Sequence, residues 1–492
     1  MPAITTGFQT LGFSDACDRP RVRSRYEELA KLFIAKIDSG VYKPGDRLPS
    51  LRQASQHHYV SIATVVRAYL LLESSGHIQS RPQSGYFVRA QGPTLSLQGR
   101  PLNPSPRTAS EEDRKSRPSA LTCPDFNPDP LLLPWRTMNR YAFSLCRRNP
   151  ELTLQHIASP GSDQLIRAVA RRYMDTGIPV DPREVVIVDD NQEALALSLH
   201  AVARPGDIIA IESPIDPAVC FAVQRLGMVP LEVSSHPLLG MDVSELAERS
   251  SGSRPAACVV TSNFHASNGS QISIDRLRQL ACLSVDWNMP VIEFDPHREL
   301  HFSDTGAPSL RHLPGGDRFI HCSTLSACLG PTHSISWILG GRHTDSITRL
   351  QRHTPQKVNA WRQLTVRDFL ERESLDYLLR RLRKTLWQRA RIMASAIVRF
   401  FPKGTRVWSP AGGTAAWVEL ADTVDATAVA HCALQLGLPF IAGSGLTSGT
   451  GFRNCFAVNF TYAFDMQRQM AVMAAGRLAF GSASVQPSAA PA

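Results

Sequence analysis

The stretch GVYKPGDRLPSLRQAS at residues 40–55, with VSIATVVRAYLLLESSGHI at residues 60–78, decides the fold of the N-terminal part of this chain. Ser50 is a favourable N-cap for a short helix over residues 51–57, and Ser61 is one for a second helix. Two short helices joined by a tight turn predict a helix-turn-helix, whose second helix enters the major groove of DNA.

The flanking residues complete the unit. Upstream of the Pro-Gly turn, apolar residues at helical spacing predict one buried face of a helix that Gly40 stops: Tyr26, Leu29, Ala30, Phe33, Ile34 and Ile37. The second helix has a predicted apolar face of its own: Ile62, Val65, Val66, Tyr69 and Leu72. Downstream, residues 77–80 and 86–89 are predicted strands, and RPQSG joins them as a hairpin wing.

These motifs resemble the GntR-type winged helix over its whole length, and the pattern G-x-x-x-P-G-D-R-L-P-S-x-R is highly specific. The resemblance implies double-stranded DNA as the partner and assigns DNA contacts to Arg47, Ser50, Arg52, Ser61, Thr64, Arg67, Arg81, Ser84 and Gly85. Arginine offers a charged, bidentate fork, and hydroxyls hold phosphates. Ile62 departs from the family, which often has arginine there, and this removes one contact.

Composition agrees with this interpretation. Residues 1–90 hold 12 Lys and Arg against 7 Asp and Glu, so half of the chain's net charge of +10 lies in its first fifth. The ten cysteines are scattered and form no CxxC pair, which predicts reduced thiols and no zinc site. No long apolar run and no signal peptide are recognised, so we expect a cytoplasmic protein without a membrane span.

The chain divides into four predicted parts. Residues 21–90 form the winged helix, and residues 91–120, rich in proline, serine and charge, form a flexible linker. Residues 121–480 form an α/β domain, with a large part at about 150–350 and a smaller C-terminal α+β part at about 360–480; residues 481–492 are a disordered tail. Apolar runs at 185–188, 208–211, 258–261 and 290–294 alternate with helical patterns, which predicts a mainly parallel sheet.

The α/β domain resembles a fold-type I pyridoxal-phosphate aminotransferase. The matching stretches are ASPGSDQLIRAVARRYMDTGI, VVIVDDNQEALALSLHAVARPGDIIAIESP, NFHASNG, VIEFDPHREL and HCSTLSACLGPTHSISWILGG. A GntR-type winged helix, a linker and this domain together are typical of the MocR-type regulators. The resemblance implies a homodimer that regulates transcription.

The catalytic lysine of that family is missing. Such a site needs an amine to form a Schiff base with the cofactor. In the family the lysine lies in S-x-S-K-x-L-x-P, which matches TLSACLGP here and puts Ala327 at the lysine position. There is no lysine between Lys115 and Lys357, and Lys357, Lys384 and Lys403 lie in later segments.

The other cofactor anchors differ as well. The carboxylate for the pyridine nitrogen matches Phe294, while Asp295, one residue on, faces the other way in a strand. The remaining family positions match His297 or Pro296, Ala266, Asp190 with Asn191, Asp216, Ser334 and Ala457. A carboxylate at Asp190 repels a phosphate from the helix N-terminus. We therefore expect no pyridoxal-phosphate cofactor beyond, at best, weak non-covalent binding, and no transamination. No catalytic residue is assigned, and we predict that the domain is not an enzyme.

The altered pocket suggests an effector site without covalent cofactor. Its predicted residues are Asp190, Asn191, Asp216, His265, Phe294, His297, Ser326, Ala327, His333 and Ser334. Acids and imidazoles suit a cationic or polar small molecule, and no spacing supports a metal. Three alternatives stay open: a purely dimerising domain, a pyridoxal-phosphate regulator or enzyme that uses a different lysine, and a partner-binding protein with a vestigial DNA-binding head.

Overall fold

A computed structural model describes residues 25–38, 41–42, 45–74, 77–81, 85–88, 126–250, 252–303, 306–354 and 358–483. The chain divides into two compact units, residues 1–109 and residues 110–492. The predicted linker, Gly40 and residues 484–492 of the predicted tail lie outside the described residues. The prediction that the tail begins at residue 481 is wrong, because residues 481–483 continue the last helix, Met466–Ala483. None of the described helices has both the length and the apolar character that a membrane crossing requires.

In its described residues the first unit has three helices and a two-stranded hairpin, with bounds close to the predicted ones. They are α1 Arg25–Asp38, α2 Leu51–His58, α3 Ile62–Ser74, β1 Ile78–Arg81 and β2 Gly85–Val88. The strands pair antiparallel, with Ile78 opposite Val88. Phe33 from α1 packs in the centre of the core against Tyr69, their rings 5.5 Å apart. The predicted apolar faces are therefore buried or partly buried, with one exception. Ile62 is 47% exposed, because it opens α3 on the side away from the core.

The turn before α2 has a second role that its sequence does not reveal. Gly45 N–H donates to the Val88 carbonyl, Val88 N–H donates to Asp46, and Leu48 N–H donates to Tyr86, at 2.8–2.9 Å. Residues 45–48 thus extend the hairpin as a short third strand. The segment predicted only as a Pro-Gly turn fixes the wing to the start of α2.

The second unit is built on an eight-stranded sheet in the order β3-β10-β9-β8-β7-β4-β5-β6. Its strands are β3 Val185–Val188, β4 Ile208–Ser213, β5 Val229–His236, β6 Gly240–Met241, β7 Ala257–Val260, β8 Val291–Asp295, β9 Ile320–Thr324 and β10 Ser336–Leu339. The five strands from β9 to β5 in that order are parallel, while β10 runs antiparallel to both of its neighbours. The prediction of a mainly parallel sheet is confirmed.

Helices cover the sheet and continue into the smaller part. They are α4 Trp135–Arg148, α5 Asp163–Asp175, α6 Asn191–Val202, α7 Pro217–Arg225, α8 Val243–Arg249, α9 Ile274–Asp286, α10 Ser326–Leu329, α11 Thr344–His353, α12 Ala360–Arg372, α13 Leu375–Phe400, α14 Ala426–Gln435 and α15 Met466–Ala483. The smaller part adds an antiparallel sheet in the order β11-β12-β14-β13. Its strands are β11 Arg406–Trp408, β12 Ala415–Glu419, β13 Phe440–Ala442 and β14 Cys455–Asn459.

Alternation along the central strands sends neighbouring residues into different cores. Val186, Val188 and Phe294 lie in one cluster with residues of α6 and α7. Val185 and Ile187 lie in the cluster on the opposite face. A strand has a side-chain period of two, so consecutive residues at the end of β8 face different environments. This alternation determines which residues reach the candidate pocket.

Candidate nucleic-acid interface and remnant cofactor site

The start of α2 presents a cradle of polar groups. The Ser50 side chain accepts the Gln53 N–H, and the Gln53 side chain accepts the Ser50 N–H at 3.0 Å, which completes a capping box. Arg47 and Ser50 help line a surface cavity of about 590 Å³ that also includes Gln53 and His57. Arg52 is exposed on the first turn of α2. A helix N-terminus with an arginine on either side is well suited to a phosphate.

Gly85, the first residue of β2 in the wing, lies close to the Arg47 side chain beside the start of α2. Its φ of +102° is a conformation that side chains rarely adopt. A Cβ at this position would lie 3.2 Å from Nε of Arg47. Glycine therefore lets the Arg47 guanidinium pass close over the hairpin. The Arg81 side chain is outside the described atoms and Ser84 is outside the described residues, so their predicted DNA contacts stay predictions.

Helix α3 displays the other predicted contacts. The Ser61 side chain accepts the Thr64 N–H at 3.1 Å and bonds the Thr64 hydroxyl at 2.8 Å, so it caps the helix. Arg67 is exposed one turn further along, and Thr64 is half-buried. Ile62 is exposed beside them, where an arginine would have been accessible to a ligand. The structure thus puts Thr64 and Arg67 on the accessible part of α3, and whether they touch DNA stays a prediction.

Tyr69 is a residue whose importance the sequence reading missed. Its hydroxyl donates to the Pro49 carbonyl at 2.9 Å, which ties α3 to the residue before the α2 cap. Its ring also packs edge-on against Tyr86 of β2, with centroids 5.0 Å apart. Burial, with smaller contributions from Tyr42 and Tyr86, raises the pKa of Tyr69. Its spacing predicted a core position, but a hydroxyl partner twenty residues away gives no local sequence signal.

In the second unit, the position of the missing lysine is closed. Ala327 is 3% exposed in α10 and packs in an apolar cluster with Leu325 and Leu329. The lysines among the described residues of this unit are Lys384 and Lys403, and both are exposed. Lys357 lies outside the described residues. The residues around Ala327 therefore do not fit a cofactor that needs a buried amine.

The end of β8 lacks the carboxylate that the pyridine nitrogen requires. Phe294 is 1% exposed and packs with Val188 of β3 and Ile211 of β4. Asp295 is buried on the opposite side of the strand, where its Oδ2 accepts from Asn263 at 2.8 Å. The next residue in sequence thus cannot replace the missing carboxylate without turning the strand over.

The N-terminus of α6 is already occupied by acids. Asp190 accepts the Glu193 N–H at 2.9 Å, and Glu193 in turn accepts the Asp189 N–H at 2.8 Å. Arg362 neutralises Asp189 through an ion pair. Burial, followed by the charges of Asp189 and Asp190, raises the pKa of Glu193 to about 7. Carboxylates at the positive end of a helix exclude a phosphate from the same place.

Two of the predicted histidines lie together. His297 Nδ1–H donates to the Phe264 carbonyl at 3.1 Å, and His265 is close enough for the two rings to interact electrostatically. Burial lowers the pKa of His265 to about 3, with His297 a second cause, so His265 is neutral at pH 7.

Ser267, in the same loop as His265, donates to the Ile215 carbonyl at 2.6 Å, which brings Asp216 alongside. The carboxylate of Asp216 caps α7 by accepting the Ala218 N–H at 2.8 Å.

The remaining predicted pocket residues form smaller groups. Asn191 accepts from the Ser336 hydroxyl at 3.1 Å, and Ser334 is 3.5 Å from Thr324. His333 Nε2 is 2.7 Å from Oδ1 of Asn139. Two of the ten predicted residues, Ser326 and His333, line a cavity of about 320 Å³ with Asn139, Trp135 and apolar side chains. The other eight do not line this cavity, because several point into the core or cap helices.

A buried polar chain lies behind this region and was not anticipated. Glu293 bonds His321 Nδ1 at 2.9 Å, His321 Nε2 is 2.9 Å from the Tyr173 hydroxyl, and the Trp337 indole donates to that hydroxyl at 2.9 Å. Ligand atoms of Glu293, His321 and Asp295 lie within 4.8 Å of one another. Both nitrogens of His321 are already engaged within the chain, so these contacts form a structural network, and the absence of a metal stays a prediction.

The reduced state of the cysteines stays a prediction, and the structure gives the burial of those among the described residues. Eight of them are free thiols, and five of these are buried: Cys220, Cys258, Cys322, Cys328 and Cys455. Burial raises the pKa of Cys328, among others, which keeps such a thiol protonated and unreactive.

Both units of the chain are similar to known proteins. The model of a family described as bacterial regulatory proteins, gntR family, matches residues 25–88. The chain is 31% identical to an uncharacterized HTH-type transcriptional regulator, YdcR, of Escherichia coli, over 92% of this chain and 98% of that protein. It is 26% identical to the HTH-type transcriptional regulator TauR of Rhodobacter capsulatus, over 82% of this chain and 85% of that protein.

The second unit has the fold of solved aminotransferases. The α-aminoadipate aminotransferase LysN of Thermus thermophilus superposes with a TM-score of 0.67 at 23% identity, covering 74% of this chain and 93% of that one. A kynurenine aminotransferase of Pyrococcus horikoshii gives 0.68 at 20% identity, covering 76% and 97%. At these identities the likeness concerns the fold alone.

Proposed function

The chain belongs to the GntR-type helix-turn-helix transcriptional regulators that carry an aminotransferase-like domain, the MocR class, and we propose that it regulates transcription without pyridoxal phosphate. DNA binding resides in the winged helix. The second unit, in this proposal, forms the dimer and senses a small molecule non-covalently. A cytoplasmic location, where the chromosome is accessible, belongs to the same proposal.

The observation that carries the loss of the cofactor is Ala327, buried at the Schiff-base position. Phe294 in an apolar cluster and Asp190 on the α6 N-terminus support the same conclusion independently. Cofactor binding has three separate requirements: a lysine for the covalent bond, a carboxylate for the pyridine nitrogen, and free N–H groups for the phosphate. Ala327, Phe294 and Asp190 stand at these three positions and meet none of them. Charge-assisted hydrogen bonds are about twice as strong as neutral ones, so losing them weakens any residual binding.

A spectrum tests this directly. We expect the purified chain mixed with pyridoxal phosphate to show no absorption band at about 410–430 nm, where an imine of a lysine absorbs. Borohydride treatment followed by mass spectrometry should find no lysine modified at a defined position. A reducible band with one modified lysine would establish the alternative, a regulator or enzyme with a non-standard lysine.

DNA binding is tested by selecting sequences from random duplexes with the full chain. A dimer should enrich two copies of one half-site, because operator symmetry follows protein symmetry. Failure to enrich any sequence would contradict specific recognition and favour a vestigial head.

Dimerisation is supported by large apolar side chains exposed near the start of the second unit. Trp135 and Phe143 of α4 are 46% and 69% exposed, and Leu131 and Leu154 on either side of the helix are exposed as well. Exposed apolar groups of this kind mark association surfaces. Sedimentation should show a dimer that Phe143→Glu dissociates, while Leu434→Glu, at a position on α14 that is 58% exposed, leaves it intact. A monomeric wild type would contradict this part of the proposal.

The effector site is the cavity of about 320 Å³ between α4 and α10. Its walls are mainly apolar, from Leu133, Trp135, Leu329 and neighbouring prolines, with polar groups from Asn139 and His333. Burial and then Arg362 lower the pKa of His333, so it is neutral at pH 7. This supports a small, mostly apolar molecule with one polar group. Thermal-shift screening should yield ligands whose effect Ser326→Trp abolishes by filling the cavity, and persistence of the shift in that variant would contradict this site.

A further inference from the structure

Helix α13 carries a charge distribution that neither DNA recognition by the winged helix nor the aminotransferase fold explains. Its residues Leu375–Phe400 include seven Lys and Arg and a single acid, Asp376. Residues 91–492 together hold 41 Lys and Arg against 36 Asp and Glu. The excess of six on this one helix therefore exceeds the net charge of that whole part of the chain, which is otherwise close to neutral.

The cations of α13 fall into two groups. Arg383 and Arg389 point inward and pair with Glu299 and Asp129, at 3.4 Å and 3.0 Å. The other five are exposed, and none forms an ion pair with any residue that the structure describes: Arg380, Arg381, Lys384, Arg391 and Arg399. We call these five residues the basic stripe.

The basic stripe lies along one side of α13, with gaps of about 10 Å before Arg391 and about 12 Å before Arg399. At 100° of rotation per residue, its five side chains fall within about 100° of the helix circumference. At 1.5 Å per residue, the distance from Arg380 to Arg399 is about 28 Å, or roughly eight steps of a DNA strand at 3.4 Å each. Trp387, 44% exposed, lies along the same face with its ring 4.9 Å from the guanidinium of Arg391. Gln388 adds an exposed amide.

We propose that the basic stripe of α13 is a second DNA-contacting surface, which binds the phosphate backbone without reading sequence. The geometry matches a linear polyanion: cations in a row, with an indole and an amide between them as hydrogen-bond donors to phosphate. This inference rests on the proposed function, in which DNA is the polyanion that the winged helix of the same chain binds. An acidic protein or a second copy of the chain would be the alternative occupant.

Neutralising the stripe tests the proposal in the full chain. Arg380→Gln, Arg381→Gln, Lys384→Gln and Arg391→Gln, combined, keep good helix formers on α13 while removing four charges. The matched control removes four exposed arginines elsewhere in the unit: Arg167, Arg171, Arg204 and Arg225, each to Gln. The probes are random-sequence duplexes of roughly 20 and 60 base pairs, for which binding is almost entirely electrostatic. Affinity is measured by fluorescence anisotropy over a series of salt concentrations.

We expect the slope of log K against log salt concentration on the long duplex to fall by about two to four for the stripe variant, since each phosphate contact contributes about 0.9. Affinity at moderate salt should fall at least roughly tenfold. An unchanged slope, or an equal fall in the control, would overturn the proposal. So would a stripe variant that becomes monomeric while its DNA slope is retained, because the stripe would then be a self-association face.

Further variants keep the result interpretable. The fourfold variant could lose its helical circular dichroism. In that case two double variants replace it, Arg380→Gln with Lys384→Gln and Arg381→Gln with Arg391→Gln. Each should show half of the expected fall in the salt slope. Arg52→Ala in the winged helix should reduce affinity for a selected operator. Neutralising the stripe in the Arg52→Ala background should still lower the slope of log K against log salt concentration. Failure of recognition by the head and failure of the stripe therefore give different results.

Discussion

The carboxylate of Asp190 accepts the backbone N–H of Glu193 at 2.9 Å and so fills the N-terminus of α6 with negative charge. In an anion-binding fold, the same helix end would offer its free N–H groups to a phosphate. An aspartate N-cap is ordinary helix chemistry and typically contributes about 1 kcal/mol. One residue thus stabilises the scaffold and closes the place where a cofactor phosphate would bind.

Restoring the lysine alone should not restore the cofactor. We expect Ala327→Lys to give no reducible band at about 410–430 nm with pyridoxal phosphate, because Phe294 and Asp190 still oppose the ring and the phosphate. The triple change Ala327→Lys, Phe294→Asp and Asp190→Gly is the companion variant. A full band from the single variant would show that the rest of the pocket is intact after all.

Removing the arginines of the head should weaken DNA binding. Arg52→Ala and Arg67→Ala each take away an exposed cation at the predicted interface, so each should lower the salt slope on a selected operator by about 0.9 if it contacts a phosphate. A base contact would instead cost about 1–3 kcal/mol of discrimination at one position. Arg183→Ala, on a 90% exposed side chain of the second unit, is the control. No change in either head variant would favour a vestigial helix-turn-helix.

The Tyr69 hydroxyl should stabilise the winged helix. Tyr69→Phe removes the bond to the Pro49 carbonyl and leaves that partly buried acceptor without its partner, at a cost of about 1 kcal/mol. Hydrogen exchange of α3 amides in the full chain should quicken accordingly, and operator affinity should fall because the α2 cap loses its anchor. Tyr59→Phe changes a hydroxyl on a 92% exposed side chain and should do neither. Unchanged exchange in Tyr69→Phe would mean that ring packing alone fixes α3.

The free energy of unfolding should fall as the pH rises through the range in which Glu193 titrates. Burial raises the pKa of Glu193 from 4.5 to about 7, so the folded chain holds a proton that the unfolded chain has already released. The loss of stability caused by ionising this buried carboxyl is absent below pH 4.5 and grows as the pH rises to about 7. Above that pH the loss stays constant. Glu193→Gln cannot ionise, so its stability relative to the wild type should increase across that interval. If the difference in the free energy of unfolding between Glu193→Gln and the wild type did not change with pH, the raised pKa of Glu193 would be contradicted.

Much of this protein follows from local sequence. The spacing of Phe33 and Leu72, the caps at Ser50 and Ser61 and the wing motif predicted the first unit to within a residue or two at each element. The alternating apolar runs predicted β3, β4, β7 and β8 in the same way. Helix faces, caps and strands depend on residues a few positions apart, so one sequence is enough to recognise them.

What surrounds a residue was harder to predict. Residues 45–48 were predicted as a turn, yet they pair with β2, because hydrogen-bond partners forty residues away leave no local pattern. The predicted pocket residues also do not all share one cavity. Ser326 and His333 line it, whereas Asp190 and Asp216 serve as helix caps.

The sequence by itself determined that this chain has a DNA-binding winged helix and that Ala327 replaces the cofactor lysine, because both are matters of residue identity at a motif position. Only the tertiary structure decided what took the cofactor's place. It packs Phe294 into an apolar cluster and turns Asp190 onto a helix end, and it leaves the five cations of the basic stripe without acidic partners among the described residues. Those outcomes depend on which distant elements meet, and that is determined by packing and by the pairing of charges in space.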